Sequence, residues 1–234
     1  KVFLARQGRP GIEAAYLAAD HRGRAFWQAL VGHRGEHQGV RFHQDACHLN
    51  DGYDDYVGNR GHRRDGTGGW HDAGDHGKYL VNAGVTLGVL FMAWEHFQSG
   101  LKKIPLGIPE TTPGIPDFLQ EMKWETDWLL KMQYPDGSGR VSHKLTAVKF
   151  EPFIMASADA SQRFFTEWSS AATGDFTAMM AQAARAFKPW DPVYAEKCLN
   201  AARLSYQFLK ANPVNKGFVQ GDFKTGGYQT SDPD

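Results

Sequence analysis

Four segments of this chain repeat large apolar residues at the helical period, and that repetition limits what it can fold into more than any other feature. From about 81 to 98, Leu87, Leu90, Phe91 and Trp94 stand at i, i+3, i+4 and i+7, the stripe of a helix that buries one face. From about 116 to 133 the stripe runs through Phe118, Met122, Leu129 and Met132, with Pro116 placed for the first helical position. A third segment starts at Ser169 or Ser170, either one a suitable N-cap, and carries Phe176, Met179, Met180, Ala183 and Phe187. The fourth opens on Asp191 and Pro192, a cap followed by proline, and places Tyr194, Cys198, Ala201, Ala202 and Phe208 on one side. Residues 11 to 31, with Tyr16, Phe26 and Trp27, predict a fifth helix.

Strand signals are sparse; only Arg140 to Leu145 alternates, and weakly. An all-α fold is therefore expected, as stacked antiparallel hairpins, a bundle or an α/α toroid rather than a βαβ sheet. No compositional boundary divides the chain. The Gly-rich polar run from Lys216 stops at Ser231-Asp232-Pro233-Asp234, where the cap of a further helix is expected, so the chain reads as part of a larger domain. Half of a helical assembly would leave an apolar face uncovered. Residues 1 to 234 alone are then expected to aggregate or stay molten and to lack activity.

Composition narrows the function. With 41% apolar and 13% aromatic residues the chain can fill a core, which excludes wholesale disorder. Lys plus Arg and Asp plus Glu number 26 each, so no basic excess draws the chain to phosphates and no nucleic-acid partner is expected. Apolar runs are broken by Gly, Glu or His short of the roughly 20 residues of a membrane span, and no apolar segment of a signal peptide follows Lys1. No membrane association is expected. Cys47 and Cys198 are too few for a disulfide framework, whereas eight of the ten histidines lie at or before His76.

The densest chemistry lies in Gly68-Gly69-Trp70-His71-Asp72-Ala73-Gly74-Asp75-His76-Gly77-Lys78-Tyr79. Asp72 and Asp75, three apart with Ala and Gly between them, can face one side of a turn. Paired carboxylates suit water activation, one orienting the water and the other taking its proton. An Asp-rich turn that caps the next helix is the competing reading. Upstream, Cys47-His48 offers a thiolate and an imidazole that could join His71 around Zn²⁺, or could be a buried cysteine beside a loop histidine. Arg60, Arg63 and Arg64 form a basic loop, either solvated or binding a substrate group.

Gly68 to Tyr79 resembles the Gly-Gly-Trp-Tyr/His-Asp-Ala-Gly-Asp signature of glycoside hydrolase family 9, the inverting cellulases and their relatives. Ala46-Cys47-His48, Val81 to Gly84, Trp124 to Gln133, Ser142 to Thr146 and Ser170 to Phe176 resemble further family segments in family order, so the resemblance spans about 25 to 234. It is greatest to the subgroup with an immunoglobulin-like module ahead of the catalytic domain. The resemblance implies an (α/α)6 toroid of which this chain supplies about the first half, with residues 1 to 10 a linker from a preceding module.

It also implies inverting hydrolysis of β-1,4-glycosidic bonds in cellulose or related β-glucans and oligosaccharides. Asp75 would be the general base, Asp72 a holder of the water, and the general acid a Glu outside the chain, in the missing C-terminal half. His143 would bind sugar hydroxyls and Tyr228 would stack on a pyranose; Trp70, Trp94, Trp124 and Trp128 read as core. A structural zinc would use Cys47, His48 and His71. The family's first cysteine is absent near Leu30 or Val31, which leaves His33 as a substitute. Ser231 and Asp232 resemble the beginning of a calcium site. No organic cofactor is implied, and the expected location is extracellular or periplasmic. Three alternatives remain: an exo-acting glucosaminidase or cellobiohydrolase of the same family, a metal-dependent hydrolase using His71, Asp72, Asp75 and His76 around one ion, and a non-catalytic sugar-binding remnant.

Overall fold

The computed structural model describes the backbone of residues 33–37 and 40–44, together with residues 47–53, 63–106, 108 and 112–228. The expected helix at 11 to 31 and the candidate calcium residues Ser231 and Asp232 lie outside these residues, as do Arg60 and the side chain of His33. Two strands, β1 (His33–His37) and β2 (Val40–Gln44), form an antiparallel pair with His33 opposite Gln44 and His37 opposite Val40. The other strands are short: β3 (Lys78–Tyr79), β4 (Lys144–Thr146) and β5 (Phe164–Phe165). They make one antiparallel sheet in the order β3-β4-β5, with Lys78 opposite Leu145 and Leu145 opposite Phe165. The mainly helical expectation holds, and this small sheet is an addition to it. The weak alternation before Leu145 marks its middle strand, shifted toward the C-terminus.

The four striped segments are the four helices α1 (Leu80–Leu101), α2 (Asp117–Met132), α3 (Ser170–Phe187) and α4 (Pro192–Ala211). Their starts follow from local chemistry. Ser169 caps α3 by accepting the Ala172 N–H at 3.1 Å, and Asp191 caps α4 by accepting the Tyr194 N–H at 2.9 Å. Pro116 sits at the cap of α2 rather than in its first turn, with ψ of 136°. α3 packs against α4 and α1 and also touches α2. Between them lie Leu87, Phe91, Trp94, Met122, Trp128, Phe176, Met180 and Phe187, each at most 2% exposed. Burial of such side chains stabilises the fold by about 1.5–3 kcal/mol each.

α1 is apolar on both sides. Val85, Val89 and Met92 face outward from the helix that buries Leu80, Leu87 and Phe91. By length and composition alone it is long and apolar enough to cross a membrane, which the broken runs of the sequence did not suggest. Its buried face belongs to the core, and Gly84 lets it approach α3 closely: a β-carbon there would stand 2.9 Å from Asp175 Cβ.

Candidate active site

The carboxylate turn is gripped from one side by α2. Trp70 donates its backbone N–H to Glu125 Oε2 at 2.6 Å and its indole N–H to Glu121 Oε1 at 2.9 Å, while Trp124 donates to the Gly69 carbonyl at 3.2 Å. Gly69 has φ of +74°, and a β-carbon there would lie 2.5 Å from the Trp128 ring, so only glycine fits. From below, the buried Lys78 ammonium reaches the Gly66 and Gly68 carbonyls at 2.6 and 2.8 Å and pairs with Asp51 at 2.7 Å. Asp51 also pairs with Arg163 at 3.2 Å, and Arg163 donates to the His76 carbonyl. The turn then closes on itself, with Asp72 N–H donating to Gly77 O at 2.8 Å and His76 N–H to Ala73 O at 3.1 Å.

That closure puts Asp72 and Asp75 on the rim of one cavity of about 350 Å³, which they line with Phe150, Glu151, Phe153 and Tyr228. Both carboxylates are held by neutral donors. Asp72 accepts from Asn82 Nδ2 at 2.7 Å and from the Tyr228 hydroxyl at 2.5 Å. Asp75 accepts from the Gly77 N–H at 3.2 Å and from the Tyr79 hydroxyl at 2.6 Å. Burial, then the charge of Asp75, pushes the Tyr79 phenol far above its ordinary range, so it remains a donor. The Tyr79 and Tyr228 rings meet edge to face at 4.7 Å. Tyr228, singled out from sequence for stacking, is therefore also a partner of Asp72.

The histidines form a separate, buried cluster. Ligand atoms of Cys47, His48 and His71 all lie within 4.8 Å of one another, and a second such group joins His48, His76 and Asp159. Asp159 Oδ2 is 3.1 Å from His48 Nε2 and 2.9 Å from His76 Nδ1. Although burial opposes it, hydrogen bonds from His48, His76 and Ser161 hold the Asp159 carboxyl well below the usual range. Burial lowers the His48 pKa to about 4, and burial followed by the charge of His48 lowers that of His71. His48 Nδ1 is buried without a hydrogen-bond partner among the described residues. A neutral imidazole with one nitrogen bound to a carboxylate and the other open is the arrangement of a metal-ligating histidine. With a thiolate and a second imidazole beside it, the donor set fits zinc. Asp159 was missed from sequence because it lies 111 residues from His48 and belongs to no spacing pattern.

This partition separates residues that the sequence places side by side. Among the described residues His71 and His76 group with Cys47, His48 and Asp159, and not with Asp72 or Asp75, which face the cavity. The reading of all four around one ion is thereby corrected; the turn sends His71 and His76 to the buried cluster and Asp72 and Asp75 to the cavity. The basic loop is neither solvated nor free for a substrate group at Arg64, whose guanidinium stacks on Phe165 at 3.6 Å and donates to Lys131 O at 3.2 Å.

His143 was expected to meet sugar, but it is 1% exposed and both ring nitrogens are engaged by protein. Nε2 lies 2.8 Å from the Gly227 carbonyl, so it must carry the proton, and Nδ1 then accepts from the Ser169 hydroxyl at 2.8 Å. Lys144 Nζ holds the same strap through Gly226 O at 2.7 Å and Gln220 Oε1 at 3.1 Å, and burial lowers its pKa to about 8. Together β4 and the α3 cap position Gly226 to Tyr228, and so the hydroxyl that meets Asp72.

The profile of glycosyl hydrolase family 9 matches residues 24–234. Endoglucanase D of Acetivibrio thermocellus is 55% identical over 199 residues, 85% of this chain and 32% of that protein. The crystal structure of a metagenome-derived glycoside hydrolase family 9 endoglucanase superposes with a TM-score of 0.80 at 32% identity, covering 92% of this chain and 39% of that one. A zinc-binding triple mutant of a family 9 endoglucanase superposes with a TM-score of 0.76 at 29% identity, covering 90% of this chain and 41% of that one. The chain thus spans about a third of the length of the curated relative, 32%.

Proposed function

The chain belongs to glycosyl hydrolase family 9 and carries part of that family's (α/α)6 toroid, and from that premise we propose that it forms the base-bearing side of an inverting β-1,4-glucanase active site. The observation that carries this reading is the presentation of Asp72 and Asp75 on one cavity rim by neutral donors. Donors on a carboxylate fix the direction in which its remaining lone pairs can meet a water. Asp75 takes the proton as the water attacks the anomeric carbon, and Asp72, fixed between Asn82 and Tyr228, orients that water. Inversion needs a second carboxyl roughly 6.5–9.5 Å from the base, to protonate the leaving oxygen. That acid is assigned to the part of the family domain this chain does not span.

Residues 1 to 234 are accordingly read as the N-terminal part of one catalytic domain, with an immunoglobulin-like module preceding it and β-glucan or its oligosaccharides as substrate. Cys47, His48 and His71 would hold a structural zinc, with His33 at the head of β1 as the candidate fourth ligand. The metal would tie the Cys47-His48 loop to the carboxylate turn. Ser231 and Asp232 would begin a calcium site, and an exported, extracellular or periplasmic enzyme suits the substrate. The test is the anomer first released from a cello-oligosaccharide by the whole enzyme, followed by proton NMR. The α-anomer supports inversion, and the β-anomer overturns it.

A further inference from the structure

Three large apolar side chains are exposed within six residues of one another beside the carboxylate turn: Phe150 at 53%, Phe153 at 94% and Met155 at 60%. Single exposed apolar residues are ordinary, but two of these, Phe150 and Phe153, line the cavity with the two carboxylates, and that combination points to a ligand. The arm that carries them is anchored at both ends. Val148 O accepts the Lys224 N–H at 2.7 Å, Met155 O accepts the Ala158 N–H at 2.9 Å, and the Asp159 carboxylate that follows grips His48 and His76. Pro152, between the two phenylalanines in sequence, fixes its own φ and so restricts the arm there. The Phe153 ring stands beside the turn itself: a β-carbon at Gly74, between Ala73 and Asp75, would lie 3.8 Å from it.

The cavity is therefore two-sided, with aromatic faces from Phe150 and Phe153 on the arm and hydrogen-bonding groups of Asp72, Asp75, Glu151 and Tyr228 around them. A pyranose has the matching character, a C–H-rich face and a rim of hydroxyls. Three carboxylates repel anionic sugars, so a neutral chain is favoured over a uronate. We propose that Phe153, assisted by Phe150, is a stacking platform for a neutral β-linked glucosyl unit next to the cleavage point, with Glu151 accepting from its hydroxyls. This rests on the assignment of Asp75 as base, and it adds a substrate-contacting arm that the carboxylate motif does not contain.

The experiment separates the two. In the whole enzyme made inactive by Asp75→Asn, cellotetraose binding is measured by calorimetry with Phe153 intact and as Phe153→Ala. Phe153→Ala should weaken binding about tenfold, as loss of one stacked aromatic face implies, and Phe153→Trp should restore it. In the active enzyme Phe153→Ala should lower kcat/KM with kcat nearly kept. Unchanged cellotetraose affinity in Phe153→Ala overturns the platform. So does a melting temperature several degrees lower, because a ring that supports the fold is covered by protein rather than by sugar. Wild-type turnover by Asp75→Asn would instead overturn the base assignment; cellotetraose would then be consumed, and the kcat/KM comparison of Phe153→Ala with the wild type would decide the platform, an unchanged kcat/KM overturning it.

Discussion

The Tyr79 hydroxyl lies 2.6 Å from Asp75 Oδ2, four residues earlier in the chain, and joins the first residues of the small sheet to the carboxylate turn. β4 fixes Tyr79 from the other side through the Lys144–Tyr79 pairing. The proposed base is therefore aimed by the sheet as well as by the Gly77 N–H of its own loop. His76, with φ of +51°, bends the chain back so that this contact can form.

Asp75→Asn should lower turnover by at least about 10²–10⁴-fold, the usual range for loss of a general base, while cello-oligosaccharide affinity stays near the wild-type value. Tyr79→Phe should leave KM close to unchanged and lower kcat by a smaller factor, because the carboxylate loses its aim but not its charge. Steady-state kinetics on both variants decide this. Equal losses of affinity and turnover in Asp75→Asn would mark a folding role.

Elemental analysis of freshly purified, chelator-free protein should find one zinc per chain, and removing it should lower the melting temperature. Asp159→Asn should weaken zinc affinity by about 10–100-fold, since it removes the carboxylate that orients His48. Zinc-free protein, or an Asp159→Asn variant that retains full affinity, would rule out the proposed centre.

His143 ties stability to pH. Burial lowers its folded pKa to about 4, below the ordinary 6.5, so between these values the unfolded chain binds more protons than the folded one. Stability from this group is present above about 6.5 and is lost as pH falls toward 4. His143→Gln keeps a donor for Gly227 O without titrating, and its melting temperature should fall less steeply over that window. Parallel curves for the two proteins would remove His143 from the account.

Gly84→Ala should destabilise, although alanine is the better helix former by about 1 kcal/mol. Its β-carbon would stand 2.9 Å from Asp175 Cβ and 3.1 Å from Asp175 Cγ, and overpacking of this kind costs about 1–3 kcal/mol. A lower melting temperature is expected; an increase would show that α1 and α3 can separate without loss.

The sequence by itself determined the four described helices, the cap at Asp191, a cap at Ser169 or Ser170 that the structure assigns to Ser169, and a Gly-rich turn carrying Asp72 and Asp75. Those features rest on periodicity, side-chain capping and glycine placement, all of them local. For Cys47, His48 and His71 the sequence leaves two readings, a metal-binding group or a buried cysteine beside a loop histidine, and the family resemblance favours the group; the structure brings their ligand atoms within 4.8 Å of one another. What only the tertiary structure decided depends on contacts between distant segments. Asp159 reaches His48 across 111 residues, and Tyr228 reaches Asp72 across 156. His143, read from sequence as a sugar contact, became a buried support once Ser169 and Gly227 closed on its two nitrogens. A polar side chain carries the same local signal whether it faces a cavity or another part of the chain. Only the packing of β4 against the α3 cap and the Gly226 strap determines which neighbour it meets.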